Sequence, residues 1–137
     1  VIIFVISFIY YNFQKDLTEH HINYINLLYN YLKNKDLYKE NKDLFYLKIY
    51  RSIEGSCYNI FEHKDDKIIF IEKELKKYKE SKIIEGFIKD IINFKYINKI
   101  KRNDWKIFIW IFALCLNLNL YKCAAFLQIM KFKINDE

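Results

Sequence analysis

The sequence predicts an all-α fold, a single domain over residues 1–137 built as a helical bundle or short helical-hairpin array of about six to seven helices. The chain has no proline and only two glycines, Gly55 and Gly86, so most tight-turn and β-hairpin signals are missing. Hydrophobic residues make up 53% of it, which is enough apolar material for a buried core. Strict alternation of apolar and polar residues, which would indicate strands, is rare.

The first element is the apolar run over residues 1–13 (VIIFVISFIYYNF), interrupted only by Ser7 and Asn12. A membrane-spanning helix needs about 20 such residues, so this run is too short to span a bilayer by itself. Three interpretations stay open: a buried N-terminal helix, a signal or anchor segment, and the end of a longer span. The first residue is valine rather than methionine, which indicates a fragment, a processed product or a missing start.

Two amphipathic helices are predicted next. Thr18 is the expected N-cap of the first of them. Its apolar stripe is formed by Ile22, Ile25, Tyr29 and Leu32. A polar break over residues 34–41 separates it from the second, which Asp43 is expected to cap. The stripe of that helix runs through Leu44, Leu47, Tyr50, Ile53, Cys57 and Phe61.

Two further amphipathic helices follow a charged turn over residues 63–67. The inward face of the first should carry Ile68, Ile71, Leu75 and Tyr78. The second, capped by Ser81, should bury Ile84, Phe87, Ile88, Ile91 and Ile92. The solvent-exposed face of each helix carries a pair with the spacing of a favourable ion pair, Glu72 with Lys76 and Glu85 with Lys89.

The sequence of the C-terminal part predicts a very apolar αα-hairpin, which is expected at the centre of the domain. Asp104 is the expected N-cap of a helix whose residues 105–118 (WKIFIWIFALCLNL) are apolar on nearly every face. Asn119 breaks the pattern and should cap the last helix, in which Ala124 and Ala125 permit close packing. The alternative is a hairpin in or on a membrane.

A basic connector precedes this hairpin. Its possible contacts for a polyanion or lipid headgroup are Lys95, Lys99, Lys101, Arg102 and Lys106, and its possible partner contacts are Tyr96 and Trp105. The alternative is that these lysines merely solvate a turn. The net charge is +6, but Ile, Lys, Asn, Tyr and Phe all use A/T-rich codons, so an AT-rich genome accounts for much of the excess. The lysine excess is therefore weak evidence for a nucleic-acid partner, which stays open as a less favoured alternative.

No catalytic, cofactor-binding or metal-binding constellation stands out. Two glycines cannot build a phosphate-cradling loop, and the group Glu62, His63 and Asp66 matches no spaced metal pattern. The sequence therefore predicts a non-enzyme without cofactors. The three cysteines form no regular framework, which favours a reducing, intracellular compartment over a secreted or membrane-anchored one. Cys115 and Cys123 lie in apolar sequence and should behave as buried hydrophobes.

The segment Trp105–Phe132 resembles the helical hairpins of α-solenoid repeats, such as tetratricopeptide or clathrin-heavy-chain repeats. An aromatic residue opens its first helix, Ala113 lies within that helix, a short turn follows, and small residues pack the second helix.

The chain is also similar to the all-α cell-death regulators (the Bcl family), in which amphipathic helices wrap an apolar central hairpin. Those proteins open the central helix with Asn-Trp-Gly-Arg; residues 103–106 (NDWK) keep the aromatic residue and a base but lack the glycine. This resemblance implies a helical regulator as one alternative function.

The function expected from these observations is a non-catalytic interaction or scaffold module that binds a protein partner within a larger assembly. Its support is the aromatic content, 19% of residues, because interfaces favour aromatic side chains. The main alternative is a membrane-associated subunit with residues 1–13 and 105–118 in or on the bilayer.

Overall fold

The computed structural model describes residues 2, 17–95, 97 and 100–136. Six α-helices account for most of them, and no strand occurs in this part of the chain. They are α1 (Leu17–Asn34), α2 (Tyr38–His63), α3 (Lys67–Glu80), α4 (Lys82–Ile92), α5 (Asn103–Asn117) and α6 (Tyr121–Asp136). The predicted all-α fold is confirmed. The element predicted over residues 1–13 lies outside the described residues, apart from Ile2.

The longest helix, α2, is the centre of the bundle. Its neighbours are α1, α3, α4 and α6, and its buried residues are Phe45, Tyr46, Ile49, Tyr50, Ser52, Ile53, Ser56, Cys57 and Ile60. These buried positions recur every three or four residues on two adjoining faces, so α2 offers packing surface in several directions.

The apolar C-terminal hairpin exists, but the prediction that it is central is wrong. Helix α5 packs mainly against α4, and α6 packs against α3 and α2, so the pair forms an outer layer of the bundle. The side of α5 that meets the core carries Ile109, Phe112, Ala113 and Leu116. On α6, Ala124 and Ala125 are fully buried, which confirms the predicted close approach there. The opposite faces of both helices are exposed, because a helix in an outer layer meets the core on one side only.

Several predicted helix boundaries are wrong. Helix α2 begins at Tyr38, so Asp43 lies inside it and the break after α1 is shorter than residues 34–41. Helix α5 begins at Asn103 with Arg102 as its N-cap, so Asp104 lies in the first turn. Its carboxylate is paired with Arg102 instead of capping the helix.

Several predicted burial assignments also differ from the structure, because burial depends on which side of its helix a residue occupies. Leu44 and Ile68 are exposed, whereas the other residues of their stripes are buried or, at Leu47 and Phe61, partly buried, as is Ile92. Cys123 is exposed and Cys115 is partly buried. Cys123 lies on the outward side of α6, which the apolar sequence alone does not reveal. Thr18 lies within α1 and is buried, so it is part of the helix packing.

Three helices end on a residue other than glycine in the left-handed conformation. These residues are Asp36, Phe94 and Asn119, with φ of 57°, 63° and 60°. After α1, for example, the Leu37 N–H bonds to the Leu32 carbonyl oxygen at 2.8 Å, and the Asp36 N–H bonds to the Lys33 carbonyl oxygen at 3.2 Å. This is the Schellman arrangement, which normally uses glycine. Asn119 therefore ends α5 and does not cap α6 as predicted.

The predicted ion pairs on the wet faces are confirmed. Lys76 lies 3.6 Å from Glu72 on α3, and Lys89 lies 3.3 Å from Glu85 on α4. Pairs this exposed contribute on the order of a few tenths of a kcal/mol each. None of the described helices combines the length and the apolar composition that crossing a bilayer requires.

Candidate functional site

A cleft opens between the two helices of the C-terminal hairpin. We call it the hairpin cleft; its volume is about 350 Å³. The floor is formed by Tyr50 of α2, and the remaining lining residues are Arg102, Asp104, Trp105, Phe108, Ile109, Leu127, Met130, Lys131, Ile134 and Asn135. It lies at the end of the hairpin away from the short connection between α5 and α6, where side chains of both helices line one space. An apolar cleft with few polar groups is the usual form of a ligand site.

The Lys131 ammonium group lies at the inner end of the cleft and is almost enclosed by protein. Its side chain is 12% exposed, and Nζ donates hydrogen bonds to the Tyr50 hydroxyl at 3.0 Å and to the Glu54 carboxylate. The contacts with Tyr50 and Glu54 join α6 to the central helix. A charge this buried needs such partners, because an unpaired one costs several kcal/mol.

Aromatic rings complete the surroundings of this ammonium group. Nζ of Lys131 lies 4.7 Å from the ring centre of Trp105, 5.1 Å from that of Tyr50 and 5.4 Å from that of Phe108. Ring faces carry negative electrostatic potential and attract a cation over such distances. Burial raises the pKa of the Tyr50 hydroxyl, and the Glu54 charge raises it further. Tyr50 is therefore neutral near pH 7.

A fully buried amide, that of Gln128, lies close to Tyr50. Among the described residues neither its Oε1 nor its Nε2 atom makes a hydrogen bond of good geometry. Its interaction with the Tyr50 hydroxyl is a weak one that lowers the pKa of Tyr50, against the larger effect of burial. The inner part of the hairpin is therefore more polar than its sequence indicates.

A second cation lies at the mouth of the cleft. The Arg102 guanidinium is 5.5 Å from the Trp105 ring centre and donates two hydrogen bonds to Asp104, of 3.2 and 2.6 Å. These bonds lower the pKa of the Asp104 carboxyl. Both partners are well exposed, with 68% and 62% of their side-chain surface in contact with solvent. Arg102 and Lys131 thus border the same indole, one at the solvent and one inside.

The outward side of the hairpin carries a row of large apolar side chains on each helix. We call this surface the outer hairpin face; it consists of Ile107, Ile111, Leu118, Phe126, Met130 and Ile134, which are between 39% and 67% exposed. Ile107 and Ile111 lie four residues apart on α5, and Leu118 follows at the end of that helix. On α6 the residues are spaced by four, so they form one line along the helix. Met130 and Ile134 also border the cleft, so the face and the cleft adjoin.

A separate polar cluster lies between α1, α2 and α3. The Tyr78 hydroxyl oxygen is 2.9 Å from Nδ1 of His21 and 2.5 Å from the Ser56 hydroxyl, and it donates to the Ser52 carbonyl oxygen at 3.0 Å. Ser56 and Tyr78 are buried. Gly55 borders the imidazole without being required by it, since a Cβ atom there would lie 3.8 Å from Cε1 of His21, an ordinary contact distance. This cluster fastens three helices together.

The residues predicted as sites fall into separate places. Arg102 and Trp105 line the hairpin cleft, whereas Lys95 pairs with Asp90 at 3.7 Å and Lys101 is exposed. Lys106 is partly buried on α5. Tyr96 and Lys99 lie outside the described residues. Of the five predicted residues that the structure describes, two therefore lie together in one site.

Sequence reasoning missed Tyr50, Glu54 and Lys131. Lys131 and Glu54 are 77 positions apart, and no short-range pattern connects them. The available signal is the single charge of Lys131 in an otherwise apolar stretch of α6. A lone charge in such a stretch must have a partner or reach solvent.

The Cys57 thiol is inaccessible to a substrate. Cys57 is fully buried in α2, and burial raises its pKa, so the thiolate form is disfavoured. His63 is exposed at the end of the same helix. Among the residues that the structure describes, no group of three or more histidine, cysteine, aspartate or glutamate side chains could hold a metal ion.

Comparison with known proteins gives no match to a family model, to a curated protein or to a solved structure. The hairpin cleft and the outer hairpin face are therefore interpreted from their own geometry.

Proposed function

We propose that this chain is a non-catalytic interaction module that binds a protein partner through the outer hairpin face. The observation that carries the proposal is the exposure of six large apolar side chains on one two-helix layer. Contiguous apolar surface of this kind marks interaction sites in soluble proteins, because leaving it in water is unfavourable.

The composition of the face supports a docking role. Aliphatic and aromatic side chains fill the outward positions of α5 and α6, and the charged residues Lys122 and Lys133 lie beside the α6 line. An apolar centre with charges at its edge is the usual anatomy of a protein interface. The same arrangement suits a lipid surface, so membrane association is the second candidate function. Binding to vesicles distinguishes it from binding to a protein.

The test compares three forms of the chain in cells of its own source and then with purified proteins. The double variant Ile111→Glu/Phe126→Glu places charges on both lines of the face. The matched control is Leu27→Glu on α1, where the side chain is 69% exposed and lies outside the face. Cross-linking identifies proteins that the wild type captures and the double variant does not, and each is then purified for affinity measurement.

We expect at least one purified protein to bind the wild type and Leu27→Glu with equal affinity. Its affinity for the double variant should be lower by a factor of about ten or more. Circular dichroism must show that both variants keep the helical content of the wild type. The proposal is wrong if no protein distinguishes the double variant from the control. It is also wrong if only phosphatidylcholine vesicles do so, which would support the membrane candidate.

A further inference from the structure

The walls of the hairpin cleft fit an apolar body. Trp105, Phe108 and Ile109 line it on α5, and Leu127, Met130 and Ile134 line it on α6. Its volume of about 350 Å³ is within the range of small-molecule sites, about 300–1,000 Å³. Met130 and Ile134 continue onto the outer hairpin face, so an alkyl chain could extend from the cleft along that surface.

The polar groups of the cleft favour an anion. Two of the lining side chains are cationic, Arg102 and Lys131, and one is anionic, Asp104. The wider hairpin has the same bias: residues 100–135 contain six lysines and arginines and a single acidic residue. Each of the two cleft cations is paired with a carboxylate, Arg102 with Asp104 and Lys131 with Glu54, so the positive bias comes from the wider hairpin. Its field favours the approach of an anion over that of a cation.

Both cations can contribute to a new contact. An ammonium group has three N–H donors, and the Lys131 hydrogen bonds found among the described residues, to Glu54 and Tyr50, use two of them. The pair of Arg102 with Asp104 is exposed at the mouth, and a pair of this kind contributes little to stability. The guanidinium can therefore exchange Asp104 for the anionic group of a ligand.

From this geometry we propose that the hairpin cleft binds an anionic amphiphile. Its carboxylate or phosphate head lies between Arg102 and Lys131, beside the Trp105 indole, and its alkyl chain lies against the apolar walls. The head accepts charge-assisted hydrogen bonds, and the chain is removed from water. This inference does not depend on the proposed binding of a protein to the outer hairpin face.

The test uses three probes that share an octyl-length alkyl chain and differ in their head group: octanoate, octylammonium and octanol. Each is used below its critical micelle concentration. Isothermal titration calorimetry measures affinity, and indole fluorescence reports on the cleft. We expect octanoate to bind about tenfold more tightly than octylammonium, because only its head can accept hydrogen bonds from both cations. The fluorescence response should be lost in Trp105→Phe, since Trp110 lies outside the cleft, hydrogen-bonded to the Ile92 carbonyl oxygen.

Two variants test the head-group contacts. Arg102→Gln and Lys131→Gln should each reduce the preference for octanoate over octylammonium, whereas the control Lys122→Gln, an exposed lysine of α6 outside the cleft, should retain it. Arg102 is exposed, so its variant keeps the test valid even if Lys131→Gln does not fold. Equal affinity for octanoate and octylammonium, or no octanoate binding, would overturn the proposal.

Vesicles distinguish the two sources of such a ligand. Sedimentation with phosphatidylglycerol vesicles, but not with phosphatidylcholine vesicles, and competition by octanoate would identify a lipid headgroup. Octanoate binding without vesicle binding would identify a free amphiphile. The double variant Ile111→Glu/Phe126→Glu lies outside the cleft lining and should keep octanoate binding, so failure of this inference is distinguishable from failure of the proposed function.

Discussion

Lys131 shows how one side chain can change the character of an apolar helix. Its side chain is 12% exposed, and its ammonium group reaches Glu54 on the central helix. Long basic side chains commonly combine an apolar stem with a polar end in this way. Here the end is directed inward, so the charge becomes part of the packing between α6 and α2.

The structure gives no steric reason for glycine at position 86. It lies inside α4 and is exposed, and no described residue would lie within 4 Å of a Cβ atom there. Glycine in a helix interior costs about 1 kcal/mol relative to alanine, because the unfolded chain loses more freedom. Gly86→Ala should therefore raise the free energy of unfolding by about 1 kcal/mol.

Urea unfolding followed by circular dichroism measures this change, with Lys82→Ala on the same helix as the control. An exposed substitution of that kind should change the free energy of unfolding by less than about 0.5 kcal/mol. A Gly86→Ala protein no more stable than the wild type would show that the backbone of α4 departs from a regular helix at this position.

At the scale of the element, the helix ends show the consequence of having few glycines. Three Schellman ends use Asp36, Phe94 and Asn119 in a conformation that costs most residues about 1–2 kcal/mol. Asparagine and aspartate tolerate it better than phenylalanine does. The conformational cost at Phe94 is offset by stacking of its ring on Trp110, with ring centres 5.8 Å apart and planes inclined by 12°. That contact joins the end of α4 to α5.

Asp36→Gly should raise the free energy of unfolding by about 0.5–1 kcal/mol, because glycine adopts this conformation without a Cβ clash. Removing a carboxylate from the negative end of the α1 dipole acts in the same direction. Asp36→Val should lower it by about 1–2 kcal/mol. Thermal and urea unfolding measure both, and Lys35→Gly, one residue earlier, should bring no gain. If Asp36→Val were as stable as Asp36→Gly, the left-handed conformation of this residue would be refuted.

The sequence predicts which segments are helical better than where they end. Three- and four-residue spacing identifies the helices because burial of one face dominates their stability. Asp43, Asp104 and Asn119 are each suitable caps by residue type, yet each has a different role in the structure. Capping contributes about 1 kcal/mol, so packing at the junctions can override it.

The site is less predictable than the fold, for a related physical reason. Trp105 and Arg102 are near each other in sequence, and both were identified. Tyr50 and Lys131 come together only because α6 packs on α2, which no local pattern encodes. The exposed outer face also depends on which neighbours α5 and α6 have.

At the scale of the whole molecule, α1 is attached to the bundle through apolar contacts and the polar cluster around His21. Ile25 and Leu32 provide the buried apolar contacts of this helix, and His21 meets Tyr78 of α3 and Ser56 of α2. The pKa of His21 is lowered from 6.5, mainly because burial disfavours the charged imidazole and also through the positive charge of Lys48. A hydrogen bond to the Ser52 backbone opposes this shift.

This lowered pKa predicts that the protein is less stable in mild acid. Between the folded pKa and 6.5, the unfolded chain binds a proton at His21 that the folded chain does not, so the free energy of unfolding falls as the pH falls through this window. Above pH 6.5 the contribution of the neutral imidazole is complete. His21→Gln, which keeps a polar side chain but does not titrate, should show a flatter dependence on pH between about 7.5 and 5. The measurement is urea unfolding at a series of pH values, with His63→Gln as the control because that residue is exposed at the end of α2. Parallel curves for the wild type and His21→Gln would mean that the imidazole between α1, α2 and α3 is as accessible to protons in the folded protein as in the unfolded chain.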